Sequence, residues 1–275
     1  MVTRKPAVAG MFYPANADIL TSDIDGYLRE VPESDRGYPL GFVVPHAGYI
    51  YSGLTAAHAY RHVVHRSFRD VVIIAPSHFD SFNGLSVFPG DALETPLGTV
   101  NVSSRRRDEI TELEGVVSSQ MGFGQEHSLE VQLPFLQTVL RPGWELLPVV
   151  MGNQIRETVD LASTLLMNCL NKATLIVISS DLSHYYPYEQ AKKIDGLLCS
   201  LIREGNLEAL WDAYAEGEVE ACGFGPIFAL LEAVSERTDM AIEILDYRNS
   251  GDTAGPRRQV VGYCAIGVFW RSDGD

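Results

Sequence analysis

The chain of 275 residues carries a formal net charge of −15 at pH 7, and 46% of its residues are hydrophobic. This balance is typical of a folded protein and argues against a surface that binds nucleic acid or an anionic membrane. No apolar run approaches the roughly 18–20 residues that cross a bilayer. Pro14 and Asn16 interrupt the first apolar patch, so we expect no signal peptide and a cytoplasmic protein with reduced cysteines.

Short apolar runs alternate with longer amphipathic stretches, which is the pattern of an α/β protein. The run 128–140 places its leucines on one helix face, and we expect Pro134 to kink that helix. No linker or repeat is present, so we predict one domain over 1–275: a central, mostly parallel, buried sheet flanked by helices. Strands are predicted over 41–45, 70–76, 84–88, 145–150, 174–179, 241–247 and 260–270. Helices are predicted over 17–30, 53–66, 106–120, 128–140, 157–171, 188–204, 207–216 and 226–236.

Three of the predicted strands are followed by a histidine. His46 and His78 each come within two residues of a proline that ends an apolar run, and Asp181 and His184 follow the run 175–178. In open α/β sheets, ligands bind at the carboxyl ends of the strands. We therefore expect these four side chains to line one crevice.

The chemistry of these residues leaves alternatives open. Neutral imidazole is the commonest metal ligand, but a loop histidine with a satisfied hydrogen bond is an equal reading for His46 and for His78. Asp181 is a candidate metal ligand, a candidate partner that orients a liganding imidazole, or an N-cap. His127 precedes a helix and is either a capping or surface residue or an acid–base residue.

Two further groups of residues have metal-binding character. His58, His62 and His65 lie at helical spacing, but the sequence lacks the Glu of a zincin motif and we expect a solvated helix face. Cys222 precedes a helix that is predicted to begin at Pro226. A thiol just before a helix N-terminus has its thiolate form stabilised. The other three cysteines lie in apolar patterns and are expected in the core. The glycine-rich loop 247–256 is either the rim of the crevice or a plain surface connection.

Several separate motifs, in order and over nearly the whole chain, resemble the Memo-like family, the bacterial and archaeal relatives of mediator of ErbB-driven cell motility. The motifs are "RKPAVAGMFYP" at 4–14, "VVPHAGYIYSG" at 43–53, "IAPSHF" at 74–79, "ETPLGTV" at 94–100, "EHSLEVQLPFL" at 126–136, "SSDLSHY" at 179–185, "ACGFGPI" at 221–227 and "NSGDTAG" at 249–255.

The resemblance implies a fold like that of class III extradiol ring-cleaving dioxygenases, which hold non-haem Fe(II) with two His and one Glu. The corresponding residues of the Memo-like family are two His and one Cys, and they match His46, His78 and Cys222, with Asp181 and His184 beside them. The resemblance also implies iron or copper, with zinc as a further candidate, and redox chemistry on an unknown small substrate. Radical-SAM and AMMECR-type proteins are the partners that it implies.

A thiolate is softer than a carboxylate and shifts metal preference toward Cu(I), zinc or thiolate-bound iron, which argues against ring cleavage. We predict a metal-dependent oxidoreductase in which His127, His184 and Asp181 move protons or orient ligands. Asp181 remains the rival of Cys222 as third ligand. Two other functions stay open: a hydrolase with Cys222 as nucleophile, and a non-catalytic module that binds a phosphopeptide or another anion.

Overall fold

A computed structural model gives the structure of residues 2–34 and 36–271, which contain twelve strands and eight α-helices. The strands are β1 (Thr3–Arg4), β2 (Tyr38–Val44), β3 (Asp70–Pro76), β4 (Leu85–Val87), β5 (Ala92–Thr95), β6 (Gly98–Asn101), β7 (Val116–Ser118), β8 (Glu145–Met151), β9 (Thr174–Ser179), β10 (His184–Tyr186), β11 (Met240–Asn249) and β12 (Val260–Trp270). The helices are α1 (Ala17–Glu30), α2 (Tyr49–Tyr60), α3 (Ser104–Ile110), α4 (Leu133–Val139), α5 (Arg156–Met167), α6 (Tyr188–Glu204), α7 (Leu207–Ala215) and α8 (Phe224–Val234). Short 3-10 helices lie at Arg61–Val63, Glu130–Gln132 and Ser250–Asp252.

The main sheet has nine strands in the order β10-β12-β2-β9-β3-β8-β4-β7, and β11 pairs with β12. Its centre, β2-β9-β3-β8, is parallel. On either side of this centre, β12 and β4 run antiparallel to their neighbours β2 and β8. The predicted α/β fold with a central buried sheet is confirmed, and the parallel pairing is concentrated at its centre. A separate small sheet joins β1, β5 and β6.

Both faces of the main sheet are covered by helices. Along β3, Val71 and Ile73 pack with residues of α1, α2 and α4, whereas Val72 and Ile74 pack with residues of α5 to α8. All four side chains are fully buried. A strand that is buried on both faces needs apolar residues at every position, which explains the continuous apolar runs of the central strands.

The predicted boundaries coincide with the observed ones for β3, β9, β12, α1 and α6. The helix predicted over 106–120 is wrong: α3 ends at Ile110 and β7 follows. Gly115, between them, has φ +93°, and a Cβ there would lie 2.8 Å from Leu161. Such a backbone conformation favours glycine and ends a helical pattern.

Two other helix predictions need correction. The helix predicted over 53–66 begins earlier, at Tyr49 of α2, and gives way to the 3-10 turn Arg61–Val63. Pro134 does not kink a helix but lies in the first turn of α4, after the 3-10 turn Glu130–Gln132. Proline fits the first turn because the missing N–H would have no partner inside the helix there.

Within the described residues, every helix falls short of the length and apolar character that a membrane-spanning segment requires.

Candidate metal centre

The carboxyl ends of β2, β9 and β3 lie side by side because these three strands are adjacent and parallel. His46, Asp181 and His78 follow them in that order, and all three border one cavity of about 540 Å³. His127 and His184 border the same cavity. The prediction that residues distant in sequence converge on one crevice is confirmed.

His46 is held on both sides of its ring. Its Nδ1 atom lies 2.9 Å from Ser179 Oγ, and its Nε2 atom lies 3.2 Å from Cys222 Sγ. Its side chain is buried, and burial, together with the charges of His78 and His127, holds the pKa of the imidazole well below its usual value. Burial therefore favours the neutral ring, which is the form that binds a metal.

His78 is oriented by a carboxylate. Its Nδ1 atom lies 2.8 Å from Glu126 Oε1, and its backbone N–H donates to Glu126 Oε2 at 2.5 Å. Burial would raise the pKa of Glu126, but the hydrogen bonds from His78 and from the N–H of Ser128 outweigh burial and lower it to about 2. An ionised carboxylate only accepts hydrogen bonds, so His78 donates from Nδ1 and keeps the Nε2 lone pair in its neutral form.

Cys222 lies two residues before the first residue of α8. Its sulfur accepts a hydrogen bond from the backbone N–H of Asp181 at 3.1 Å. The expectation of a stabilised thiolate is wrong for the metal-free protein, because burial and the nearby Asp181 carboxylate raise the pKa of the thiol. Pro226 is the third residue of α8 rather than the first. The remaining cysteines, Cys169, Cys199 and Cys264, are buried, as expected.

The Asp181 carboxylate is hydrogen-bonded to the backbone of the loop that follows β2. Its Oδ1 atom accepts the N–H groups of His46 at 2.8 Å and of Ala47 at 3.3 Å. Burial raises the pKa of Asp181 to about 6, against the opposing effect of these N–H donors. These contacts give Asp181 a role in orienting the loop that carries His46.

One group of side chains has the composition of a metal site. One ligand atom each from His46, His78 and Cys222 lie within 4.8 Å of one another, and the group does not include Asp181. Two imidazoles and a thiol are donors for iron, copper or zinc, so the residues fit such an ion. A second group, His78, Glu126 and His127, shares His78. Because Glu126 already accepts the Nδ1–H of His78, the first group has the freer lone pairs.

His127 and His184 also border the cavity. The His127 ring stacks on His78 with centroids 4.9 Å apart, and burial lowers the pKa of His127. The Nδ1 atom of His184 lies 3.7 Å from a carboxylate oxygen of Glu220. Both imidazoles therefore reach the cavity, and their part in proton transfer remains a prediction.

The three histidines of the α2 region form no metal-ligand group among the described residues. His58 lies 3.7 Å from a carboxylate oxygen of Asp246, and His65 is exposed. His62 differs from the expected solvated face, because its ring packs 5.0 Å from Phe269 and burial lowers its pKa to about 4.

Aromatic and small or aliphatic residues complete the described wall of the cavity: Phe12, Ala47, Gly48, Tyr51, Tyr185, Ser250, Gly255, Pro256, Val261 and Tyr263. Ser250, Gly255 and Pro256 belong to the glycine-rich loop, which is thus a rim of the crevice rather than a plain surface connection. Among the described residues that line the cavity, none is Lys or Arg. Within this described lining, histidine is the one residue type that can carry positive charge.

The segment that carries Glu126 is fixed by a buried ion pair. Arg4 donates from Nη1 to Glu130 Oε2 at 2.7 Å and also bonds to the backbone carbonyls of Phe123 and Glu126. Glu130 further accepts the Tyr13 hydroxyl at 2.6 Å. Residues of the N-terminal segment thus hold in place the carboxylate that orients His78.

Three residues of the site were missed by sequence reasoning: Glu126, Gln132 and Ser179. Glu126 directly precedes His127 in the motif at 126–136, so an acidic residue beside a histidine could have pointed to it. Gln132 and Ser179 are buried and polar, and Ser179 closes an apolar strand. Their local sequence gives no sign that they bond to each other or to His46.

The fold and the ligand group define an α/β protein with a candidate site for one metal ion at the carboxyl edge of its parallel strands. The model of the Memo-like protein family matches residues 4–267, and the chain belongs to this family.

Curated relatives agree over almost the whole chain. A MEMO1 family protein of Aquifex aeolicus is 37% identical and covers 97% of this chain and 99% of its own. A MEMO1 family protein of Thermoplasma volcanium is 36% identical, and the match covers 96% of this chain and 97% of that protein. Among solved structures, the uncharacterized protein JW3007 from Escherichia coli K12 has a TM-score of 0.51 at 11% identity, with 82% of this chain and 98% of that chain covered. The last likeness concerns the fold alone, and the relation to extradiol dioxygenases stays a prediction.

Proposed function

We propose that this is a metal-dependent redox protein in which His46, His78 and Cys222 hold one iron or copper ion that acts on a small molecule in the adjoining cavity. The observation that carries the proposal is the convergence of the three ligand atoms within 4.8 Å at the carboxyl edge of the sheet. Each imidazole is fixed through its Nδ1 atom by a buried partner. Ligands that are fixed in this way are ready to bind a metal without rearrangement.

When bound, iron or copper would supply one-electron chemistry that no side chain provides. The chain's own residues bind and orient the substrate and move protons. His127 is suited to the proton role, because its ring lies 5.4 Å from His46 and 4.9 Å from His78, between centroids, and borders the cavity. The aromatic wall favours a substrate with apolar surface.

A thiol hydrolase is the second candidate, since the 3.2 Å contact between Cys222 Sγ and His46 Nε2 is the one that a nucleophile and its base need. Cys222, however, is absent from the described residues that line the cavity. A nucleophile must touch its substrate, so the absence of Cys222 from this described lining favours the metal site.

An anion-binding module has less support. Phosphopeptide recognition relies on arginine clusters, and the described lining of this cavity contains histidine and aromatic residues but no arginine or lysine.

Metal content tests the proposal. The protein is purified without oxygen, and metals are measured in the wild type, Cys222→Ser and Asp181→Asn. We expect about one iron or copper per wild-type chain, a severe loss in Cys222→Ser, and retention in Asp181→Asn. Wild-type protein that takes up neither metal would contradict the proposal. Full metal in Cys222→Ser with loss in Asp181→Asn would make Asp181 the third ligand and ring-cleaving chemistry the better reading.

Cys169→Ser is the matched control, because Cys169 is buried in the core and belongs to no metal-ligand group among the described residues. It should keep the wild-type metal content. Thiol reagents give a further check: activity that persists in metal-free protein and is irreversibly lost with a thiol reagent would support the hydrolase instead.

A further inference from the structure

The hydroxyl of Ser179 stands between His46 and two other polar groups. Ser179 Oγ lies 2.6 Å from the backbone carbonyl of Ser128, 2.8 Å from Gln132 Nε2 and 2.9 Å from His46 Nδ1. Ser179 is fully buried, and Gln132 is nearly so. Buried polar groups must satisfy one another, so the direction of each bond can be worked out.

The amide of Gln132 has a fixed orientation. Its Nε2 atom lies 2.9 Å from the carbonyl oxygen of Pro45, which can only accept. Its Oε1 atom accepts the hydroxyl of Tyr60 at 2.9 Å. The two hydrogens of Nε2 therefore go to Pro45 and to Ser179, and Gln132 acts on Ser179 as a donor only.

A serine hydroxyl has one hydrogen and can accept two hydrogen bonds. The carbonyl of Ser128 can only accept, so the single hydrogen of Ser179 goes there. Gln132 takes one acceptor position of the hydroxyl. The remaining contact, with His46 Nδ1, is a hydrogen bond only if Nδ1 carries the proton, which leaves Nε2 as the lone-pair atom beside Cys222 Sγ.

We propose that Ser179 is a positioning residue that fixes His46 as its Nδ1–H tautomer and so presents Nε2 to the metal site. The hydrogen bonds with Gln132 and with the carbonyl of Ser128 leave the hydroxyl one acceptor position, which faces His46 Nδ1. The inference deepens the proposed function and rests on it for the metal. His78 is oriented for the same task by a charged partner, Glu126, so the two imidazoles are held by different chemistry.

The tautomer can be measured without metal. The full chain is labelled with nitrogen-15 at histidine and stripped with a chelator, and two-bond proton–nitrogen spectra report which ring nitrogen carries the proton. The His46 signals are assigned by their absence in His46→Gln. We expect the Nδ1–H form in the wild type, and an Nε2–H form there would overturn the inference whatever the Ser179 variants show.

Ser179→Ala removes the acceptor, and we expect it to lose the pure Nδ1–H form and to weaken Co(II) binding about tenfold. Ser179→Thr keeps the hydroxyl and should restore both properties. Ser183→Ala is the matched control: Ser183 is also buried, and among the described residues its hydroxyl makes no hydrogen bond to His46, Gln132 or Ser179. It should leave the tautomer and Co(II) binding unchanged.

Two other outcomes separate the proposals. If Ser179→Ala keeps the Nδ1–H tautomer and wild-type Co(II) affinity, the positioning role is wrong while the metal site stands. If the wild type shows the Nδ1–H tautomer but binds no Co(II), iron or copper, the tautomer inference holds and the proposed function fails.

Discussion

The two edges of the parallel strands are both polar, yet they are built differently. At the amino edge, the buried Asp70 accepts hydrogen bonds from Arg69, Arg105 and Arg106, so each charge has a partner. At the carboxyl edge, the Nδ1 atoms of His46 and His78 are hydrogen-bonded to buried partners. Their Nε2 lone pairs stay available near Cys222. A closed ion cluster stabilises a fold, whereas fixed donors with spare lone pairs can take a ligand.

The largest effect on stability is expected at the amino edge. Asp70→Asn removes the buried carboxylate partner of Arg106, which is 10% exposed and keeps only the exposed Glu109, and should lower the free energy of unfolding by about 3 kcal/mol. Denaturant unfolding of metal-free protein measures this. The same variant should bind metal as the wild type does, and loss of metal would show that the two edges are not separate.

The pH dependence of this stability follows from Asp70. Burial would raise the pKa of Asp70, but the hydrogen bonds from Arg69, Arg105 and Arg106 outweigh burial and lower it below the ordinary value of 3.8. The carboxylate therefore stabilises the fold above the unfolded pKa, and this contribution is lost as pH falls through the folded pKa. The stability gap between wild type and Asp70→Asn should be constant from neutral pH to about pH 5 and close below the unfolded pKa. A gap that widens in acid would mean that the sign is wrong.

At the carboxyl edge, Glu126→Gln should act mainly on metal affinity. Glutamine can still accept the Nδ1–H of His78 but removes the negative charge that strengthens the imidazole as a ligand. We expect Co(II) affinity to fall about tenfold. Titration of metal-free protein measures the change. Unchanged affinity, in a variant that unfolds like the wild type, would remove Glu126 from the metal site.

The smallest effect is expected for the double variant His58→Gln, His65→Gln. Neither residue belongs to a metal-ligand group among the described residues. His62 stays unchanged because its ring packs on Phe269. Metal content should equal that of the wild type, and a clear fall would show that His58 or His65 is a metal ligand.

The sequence was most informative where burial alone decides structure. The apolar runs of β3 and β9 have no other place than the centre of a sheet, so their boundaries and the residues after them could be predicted. Short strands such as β7 depend on partners that are distant in sequence. The periodic pattern of residues 106–120 therefore predicted one helix where the structure has the end of α3 followed by β7. Tertiary pairing, rather than local propensity, decides such segments.

For the candidate metal centre, the ligand residues could be predicted but their hydrogen-bond partners could not. Strand ends and family motifs pointed to His46, His78 and Cys222, and the structure brings one ligand atom of each within 4.8 Å of the others. The hydrogen bonds that orient them were not predictable, because Ser179 and Gln132 meet only after folding. The charge state of Cys222 was also beyond local reasoning, since it depends on burial and on Asp181.

The most direct test of the metal site is X-ray absorption spectroscopy of the zinc-loaded protein, with iron-loaded protein measured in parallel. The account predicts one sulfur neighbour at about 2.3 Å and nitrogen neighbours at about 2.0–2.1 Å from zinc. The sulfur shell should vanish in Cys222→Ser and persist in Cys169→Ser. A wild-type spectrum with nitrogen and oxygen neighbours but no sulfur would contradict the claim that Cys222 completes the site with His46 and His78.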